Sequence, residues 1–222
     1  YKGVGELMPK PDLAMAVRVI SRRNSTMVAK TAFELARQRN KLKKVTAIHK
    51  NTVYKMGCSL FLEACQDVAK DYPDIKFETA VVDTFSMQLV MRPQNYDVVV
   101  TTNMFGDILS DEAAGLVGGL GMAPGLCVGP KYVMAQATHG SAPDIAGKNI
   151  ANPYAMIMSG QMMLSWLANS KNDQDGITAA LNIEKAIEAV LADKENVTPD
   201  LGGKATTSQM GEAICQALRQ LG

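Results

Sequence analysis

Residues 97–115 read DVVVTTNMFGDILSDEAAG, in which an apolar strand pattern passes directly into a helical pattern. The same alternation precedes this stretch, with strand patterns at residues 44–50 and 76–83 and a helical pattern at 59–72 between them. Alternating strands and helices predict an α/β fold with a largely parallel sheet flanked by helices.

The pattern also predicts the elements on either side. Residues 14–20 alternate like a half-buried strand, and Ser25 is a plausible N-cap for a helix that follows. From residue 118 the chain becomes rich in glycine, which indicates a crossing between domains. We therefore predict one domain at 1–117 and a second at 118–222. Three further helices are predicted at 154–168, 176–192 and 206–221.

Composition excludes several classes of protein. The chain has 222 residues, of which 47% are hydrophobic, so it can bury a core and is not disordered. A net charge of +1 without a dense basic run argues against nucleic acid as a partner. No apolar run reaches the roughly 20 residues of a membrane span, and the start does not resemble a signal peptide, so a membrane or secreted protein is not expected. The start also lacks a methionine, which suggests that the chain begins within a longer protein.

Two sets of sulfur-containing residues are expected to serve packing. Cys58, Cys65, Cys127 and Cys215 show no CxxC spacing and are predicted to be reduced, buried and inert. A methionine stripe is interpreted as core filling, with a helix-helix dimer interface as the alternative. Its members are Met156, Met158, Met162 and Met163.

Asp107 and Asp111 are spaced to project from the same side of one helix, opposite a predicted packing stripe of Ile108, Leu109, Leu116 and Val117. Two like charges in this arrangement repel each other. A hard divalent cation reverses that repulsion, because Mg²⁺ and Mn²⁺ prefer carboxylate oxygens. Spacing alone leaves open both a metal site and a solvated acidic face.

Lys50 and Asp83 each end a strand pattern. Ligands and catalytic groups gather at the carboxyl ends of strands in parallel α/β sheets, which makes both residues candidates for an active site. The alternatives are a solvated cation for Lys50 and a helix N-cap for Asp83. Beside a metal and other charges, a lysine can act as a proton acceptor.

A third candidate is the loop HGSAPDIAGKNIAN at residues 139–152. Its small residues Gly140, Ser141 and Ala142 can bring the backbone close to a planar or phosphorylated ligand, and we take them as candidate cofactor-binding residues. The loop is not a GxGxxG motif, and the chain contains no Rossmann fingerprint. The pattern alone also fits a structural connector.

Together, NMFGDILSDEAAGLVGGLGMAPG and HGSAPDIAGKNIANP resemble the signature segments of the β-decarboxylating dehydrogenases. This family includes isocitrate, 3-isopropylmalate, homoisocitrate and tartrate dehydrogenases. The resemblance extends from YKGVGE at the start to PDLGGKATTSQMGEAI near the end. It implies that 1–117 is the family's small domain, with a clasp-like segment near 1–25, and that 118–222 is part of its large domain. It also implies that a family segment preceding Tyr1 is absent from this chain.

The resemblance implies a role for each matching residue. Asp107 and Asp111 match aspartates that coordinate Mg²⁺ or Mn²⁺, and Asp83 matches a third ligand supplied by the partner subunit of a homodimer. Lys50 matches the catalytic lysine, also contributed across the interface, and Tyr1 matches the catalytic tyrosine. The positions that match the family's binding site for the adenosine half of the cofactor are His139, Asp144, Ile145 and Asn152.

The implied reaction is oxidation of a 2-hydroxy acid that carries a β-carboxylate, with hydride transfer to the cofactor, followed by loss of CO₂. Lys50 would help to remove the hydroxyl proton, and Tyr1 would protonate the enolate carbon. The carboxylate of Asp144, followed by Ile145, favours NAD, because it can bind ribose hydroxyls and would repel a 2′-phosphate. The small-molecule substrate would be a hydroxy-dicarboxylate or hydroxy-tricarboxylate.

The segments IHK, ATHG and GGLGMAPG resemble isocitrate dehydrogenases more than isopropylmalate enzymes, so isocitrate is the preferred substrate. The alternatives are 3-isopropylmalate, homoisocitrate, tartrate or malate, and a regulatory subunit of a hetero-oligomeric isocitrate dehydrogenase. One departure from the family is Gln136, which replaces a glutamate that lies near the nicotinamide. The family implies a cytoplasmic protein in bacteria or archaea and a mitochondrial matrix protein in eukaryotes.

Overall fold

The computed structural model describes residues 5–221, which divide into two compact units. The first unit ends at Ser110 and the second begins at Asp111. This division falls inside a helix, seven residues before the boundary that we expect from the sequence for the domains of the whole protein. Tyr1 lies outside the described residues.

Strands and helices alternate through the first unit, as the sequence predicts. A hairpin and a short parallel sheet are its β elements, and the last helix continues into the second unit. The elements are β1 (Glu6–Lys10), β2 (Leu13–Ala16), α1 (Arg22–Arg39), β3 (Lys44–His49), α2 (Lys55–Ala69), β4 (Lys76–Val81), α3 (Val82–Met91), β5 (Val98–Val100) and α4 (Asn103–Leu116).

The strand β3 is the centre of a three-stranded sheet with the order β4-β3-β5. Both neighbours run parallel to it, with His49 opposite Val81 and Ala47 opposite Val100. All three strands therefore end at the same edge, and the predicted parallel α/β arrangement is confirmed.

A core packs between this sheet and the helices α1 and α2. Phe33 of α1 and Phe61 of α2 are fully buried, and both lie in one cluster with Val45 and Ala47 of β3. Alanines along α1 complete its buried face. Burial of these apolar surfaces is what stabilises the unit and fixes the position of the strand ends.

Two local predictions for the start of the chain are wrong. The strand predicted at 14–20 ends at Ala16 and pairs with β1 as an exposed antiparallel hairpin, so neither of its faces is half-buried. The helix α1 begins earlier than expected, because Ser21 is its N-cap and accepts a hydrogen bond from the Asn24 N–H at 3.3 Å. Ser25 is buried inside the helix.

The packing stripe predicted for α4 is also mostly wrong. Leu109 is buried, but Ile108, Leu116 and Val117 are exposed. The buried positions are Phe105, Leu109 and Ala114. Phe105 and Leu109 lie on one helical face, four residues apart, whereas Ala114 lies on another side of the helix.

The second unit combines an antiparallel hairpin with three long helices. Its elements are β6 (Pro124–Val128), β7 (Val133–Ala137), α5 (Tyr154–Lys171), α6 (Gln174–Leu191) and α7 (Thr207–Arg219), with a short 3-10 helix at Pro199–Leu201. The sequence did not predict β6, because its glycine and proline residues suggested turns. The three helices were expected and are confirmed with shifted ends.

The hairpin and α5 meet at the buried hydroxyl of Ser159. Its Oγ accepts a hydrogen bond from the Gly125 N–H at 3.0 Å and lies 3.0 Å from the Gln136 carbonyl oxygen. A core of Ile187, Met210 and Ile214 joins α6 and α7, with Met158 of α5 packed against it. Met156 is exposed, so the methionine stripe is not entirely core.

The cysteine prediction is correct for only part of the set. All four cysteines are free, and Cys58 and Cys65 are buried, but Cys127 and Cys215 are exposed. Burial raises the pKa of the Cys65 thiol to about 12, which keeps it protonated and unreactive. Among residues 5–221, the helices are all too short or too polar to cross a membrane.

Candidate active site

Lys50 and Asp83 are brought together at the edge where the parallel strands end. Lys50 directly follows β3, and its Nζ lies 2.7 Å from Asp83 Oδ2. Asp83 is neither the end of a strand nor an N-cap, since α3 begins at Val82 with Val81 as its N-cap. It occupies the first turn of α3, where the helix dipole favours a negative charge.

The Lys50 ammonium holds the pKa of the Asp83 carboxyl below its ordinary value, and the Thr84 N–H adds to this effect. Asp83 is therefore an anion at neutral pH, and 65% of its side chain remains exposed. An exposed carboxylate of this kind contributes little stability through its ion pair, but it is free to coordinate a cation.

His49, the residue before Lys50, is buried and neutral. Its Nδ1 accepts a hydrogen bond from the Asn51 N–H at 3.2 Å, and burial lowers its pKa. The neutral ring therefore carries its proton on Nε2. This arrangement fixes the backbone on either side of Lys50 without adding a second positive charge.

Asp107 and Asp111 both lie on the exposed side of α4, one helical turn apart. Within residues 5–221, no three histidine, cysteine, aspartate or glutamate side chains are grouped closely enough to hold a metal ion. Asp83, Asp107 and Asp111 therefore do not form such a group within the described residues.

The predicted cofactor loop lines an open cavity of about 790 Å³ in the second unit. This volume is in the range of pockets that hold small molecules and cofactors. Six of the seven predicted cofactor-binding residues line it: His139, Gly140, Ser141, Ala142, Ile145 and Asn152. Asp144 is exposed and does not line the cavity, so its proposed role in cofactor choice stays a prediction.

Tight turns shape this loop. The Ile145 N–H donates to the Ala142 carbonyl oxygen at 3.1 Å, with Ala142 in the left-handed region at a φ of 42°. Asn149 adopts a φ of 55°, which asparagine tolerates better than most residues. A Cβ atom added at Gly140 would meet no atom within 4 Å, because this residue borders open space.

Asn152 anchors the end of the loop. Its Nδ2 donates to Asp200 Oδ2 at 2.9 Å, and its Oδ1 accepts from the Tyr154 N–H at 2.9 Å. The amide is nearly buried and its strongest hydrogen bonds are made within the protein. Asn152 therefore affects ligand binding by shaping the cavity wall.

Asn149 attaches the loop to the first turn of α7. Its carbonyl oxygen accepts from the Thr207 N–H at 2.9 Å, and its Oδ1 accepts from the Ser208 N–H at 3.2 Å. Thr206 and Gln209 form a capping box. The N–H groups at this helix start are thus satisfied by the protein, so they are not free to bind a phosphate.

Several cavity residues were not assigned a role from the sequence. Asp200 and Thr207 lie in PDLGGKATTSQMGEAI, which carried the resemblance but suggested no individual contact. Gly121 belongs to the glycine-rich turn, and a Cβ atom there would lie 3.1 Å from Asn152 Cβ. Gly121 could have been identified from the sequence only by recognising that this position has no room for a side chain.

Gln136, the departure from the family, lies in β7 and is exposed.

Comparison with known proteins agrees with this α/β architecture. The model of the isocitrate/isopropylmalate dehydrogenase family matches residues 2–214. The chain is 46% identical to a 3-isopropylmalate dehydrogenase of Archaeoglobus fulgidus, with 93% of this chain and 61% of that protein covered. It is 46% identical to an isocitrate/homoisocitrate dehydrogenase of Thermus thermophilus, with 95% and 60% covered.

Among solved structures, an isocitrate dehydrogenase from Methylococcus capsulatus superimposes with a TM-score of 0.87 at 46% identity, covering 97% of this chain and 63% of that one. The chain belongs to the isocitrate/isopropylmalate dehydrogenase family. It spans about three fifths of the length of these relatives.

The contact between Lys50 and Asp83 predicts a change in titration. In the metal-free protein, Lys50→Met should raise the pKa of Asp83, because the neighbouring ammonium that stabilises the carboxylate is gone. The stabilisation from this pair is present above the ordinary aspartate pKa of about 3.9 and is lost as the pH falls through the lowered value. Carbon-detected NMR titration of Asp83 measures the shift.

Lys70→Met is the matched control, because Lys70 forms a similarly short pair with Asp67 at 2.8 Å. That variant should raise the pKa of Asp67 and leave Asp83 unchanged. An Asp83 pKa that is the same with and without Lys50 would show that the two side chains are not paired in solution.

The cavity predicts the effect of filling it. Gly140→Val in the full-length protein should weaken NAD binding at least about tenfold, because the new side chain occupies ligand space. It should leave the melting temperature nearly unchanged, since a Cβ atom at Gly140 has no protein atom within 4 Å. Gly211→Val on α7 is the control, as Gly211 also has no atom within 4 Å of an added Cβ but does not line the cavity. Equal NAD affinity in both variants would argue against this cavity as the binding site.

Proposed function

We propose that the full-length protein catalyses the NAD- and Mg²⁺- or Mn²⁺-dependent oxidative decarboxylation of a 2-hydroxy acid that bears a β-carboxylate. The observation that carries the proposal is the 2.7 Å contact of Lys50 with Asp83. It joins the residue expected to move the hydroxyl proton to a residue expected to bind the metal. Both belong to the family pattern that the chain matches along its length.

The donor set suits a hard cation. Asp83, Asp107 and Asp111 supply only carboxylate oxygens, which Mg²⁺ and Mn²⁺ prefer over softer ligands. When bound, the ion supplies Lewis acidity toward the hydroxyl and carboxylate oxygens of the substrate. The exposure of all three side chains leaves them free to bind.

The remaining roles belong to the chain's own residues. Lys50 accepts the hydroxyl proton after its ammonium has given up a proton, and its position is set by the turn that follows β3 and by Asp83. Tyr1, which matches the family tyrosine, donates a proton to the carbon that loses CO₂. The loop at 139–152 binds the adenosine half of NAD and holds the nicotinamide end toward the substrate.

We further propose a homodimer in which each active site contains residues of both copies. The support is the resemblance, which assigns Asp83 and Lys50 to the partner subunit, together with the finding that residues 5–221 contain no group of three possible metal ligands. The helices α3 and α4 also expose apolar side chains suited to an interface. These are Met87, Val90, Met91, Met104 and Ile108.

Isocitrate is our preferred substrate, with 3-isopropylmalate, homoisocitrate, tartrate and malate as alternatives. The preference rests on the sequence around His49 and Lys50 and on ATHG at 137–140. Overall identity does not separate these enzymes, because the chain is 46% identical to both relatives named above. A mitochondrial NAD isocitrate dehydrogenase subunit of Arabidopsis thaliana is 44% identical. We propose a cytoplasmic location in a bacterium or archaeon and the mitochondrial matrix in a eukaryote.

A substrate panel tests the proposal. The full-length protein, supplied with Mn²⁺ and one of the five acids, should reduce NAD in preference to NADP and should stop when EDTA is added. Asp107→Asn should lower turnover by at least about a hundredfold, because a metal Lewis acid contributes several kcal/mol. NAD affinity should change less than twofold.

Reduction of NAD at an equal rate in EDTA would contradict the metal requirement. A strong preference for NADP would contradict the role of Asp144. If an intact dimer binds Mn²⁺ and NAD but oxidises none of the acids, the protein is not this dehydrogenase.

A further inference from the structure

Arg18 is a half-buried cation with an unusual set of partners. It lies between β2 and α1, and its Nη1 is buried without a hydrogen-bond partner among residues 5–221. Within the same residues, no carboxylate forms an ion pair with it. Burying a charged donor without a partner is unfavourable, so other contacts must hold this side chain in place.

Those contacts come from two aromatic rings and a hydroxyl. The guanidinium carbon lies 5.0 Å from the centre of the Tyr54 ring and 4.6 Å from that of Phe105. Its Nη2 donates to Thr102 Oγ1. Arginine suits this position because a planar guanidinium can stack on rings and donate a hydrogen bond at the same time.

Tyr54 closes the turn that carries Lys50. Its N–H donates to the Lys50 carbonyl oxygen at 2.8 Å, and the Val53 N–H donates to the same oxygen at 3.0 Å. The position of the Tyr54 backbone is therefore tied to that of Lys50. A contact that holds the Tyr54 ring also holds this turn.

Thr102 and Phe105 belong to the start of α4. The Thr102 carbonyl oxygen accepts the Gly106 N–H at 2.9 Å in the first turn, and Phe105 is buried two residues before Asp107. The preceding residue, Thr101, donates through Oγ1 to the Ile48 carbonyl oxygen at 2.9 Å. These contacts set where α4 begins and hence where Asp107 lies.

We propose that Arg18 is a positioning residue that holds the Lys50 turn and the first turn of α4 in a fixed relation. Removing it lets both elements shift, which misplaces a metal carboxylate and the proton acceptor together. This inference rests on the proposed function for the roles of Lys50 and Asp107. A cavity of about 710 Å³ borders Arg18, and the positioning role rests only on the contacts with Tyr54, Thr102 and Phe105.

The test uses Arg18→Met and Arg18→Lys in the full-length protein. Mn²⁺ binding is measured directly by electron paramagnetic resonance of the free ion, and NAD binding by calorimetry. Arg18→Met should weaken Mn²⁺ binding about tenfold or more, as is found when groups that orient metal ligands are lost. NAD affinity should stay within twofold, because the cofactor cavity is built from residues of the second unit. Arg18→Lys should recover part of the loss, since it keeps the charge but not the planar fork.

Arg22→Met is the matched control. Arg22 is exposed and pairs with Glu63 and Asp67 on the surface, at 2.7 Å and 3.3 Å. The Arg22→Met variant should bind Mn²⁺ with the same affinity as the unmodified protein. If Arg18→Met does not fold, Thr102→Val removes the Nη2 acceptor alone and should give a smaller loss in the same direction.

The proposal is overturned if Mn²⁺ affinity stays within twofold of the unmodified protein in Arg18→Met or, where that variant does not fold, in Thr102→Val. It is also overturned if Mn²⁺ and NAD affinity fall equally, since that result indicates a general loss of folding. Failure of the proposed function is a separate result. In that case the unmodified protein oxidises no acid in the panel, while the effect of Arg18 on Mn²⁺ binding can still be measured.

Discussion

The parallel pairing of β3 with a neighbour on each side determines where the candidate catalytic groups lie. Because β4 and β5 run in the same direction as β3, all three strands end at one edge of the sheet. Lys50 follows the first of these ends, Asp83 lies just beyond the second, and α4 begins just beyond the third. Every residue of β3 from Val45 to His49 is buried, so packing on both faces of the strand holds this arrangement in place.

The second unit forms its cavity in a different way. Here an irregular loop is held in place by side chains that satisfy its backbone and amide groups. Asn149 ties the loop to α7, and Asn152 ties it to Asp200. These links explain how a loop with two non-glycine residues at positive φ keeps one shape. The ordering of the loop before a ligand arrives reduces the entropy that binding costs.

Periodicity was sufficient to predict the parallel sheet and the helices, because their buried faces repeat at regular spacing. It failed where a single contact decides the outcome. Ser21 rather than Ser25 caps α1, and Asp83 lies in α3 rather than at the end of β4. The hairpin β1-β2 is exposed on both faces, so its apolar residues could not indicate which side is buried. Arg18 offered no signal, because its partners Tyr54, Thr102 and Phe105 are distant in sequence.

The central claim is that one active site combines Lys50 and Asp83 of one copy with Asp107 and Asp111 of another. Co-expression of full-length Lys50→Met and Asp107→Asn chains tests it most directly. Each variant alone should be nearly inactive. In a mixed dimer, one site receives unmodified Lys50 from the partner subunit and keeps its own Asp107, so random pairing should restore about a quarter of wild-type activity. If the mixture is as inactive as either variant alone, each active site is contained within a single chain and the account is wrong.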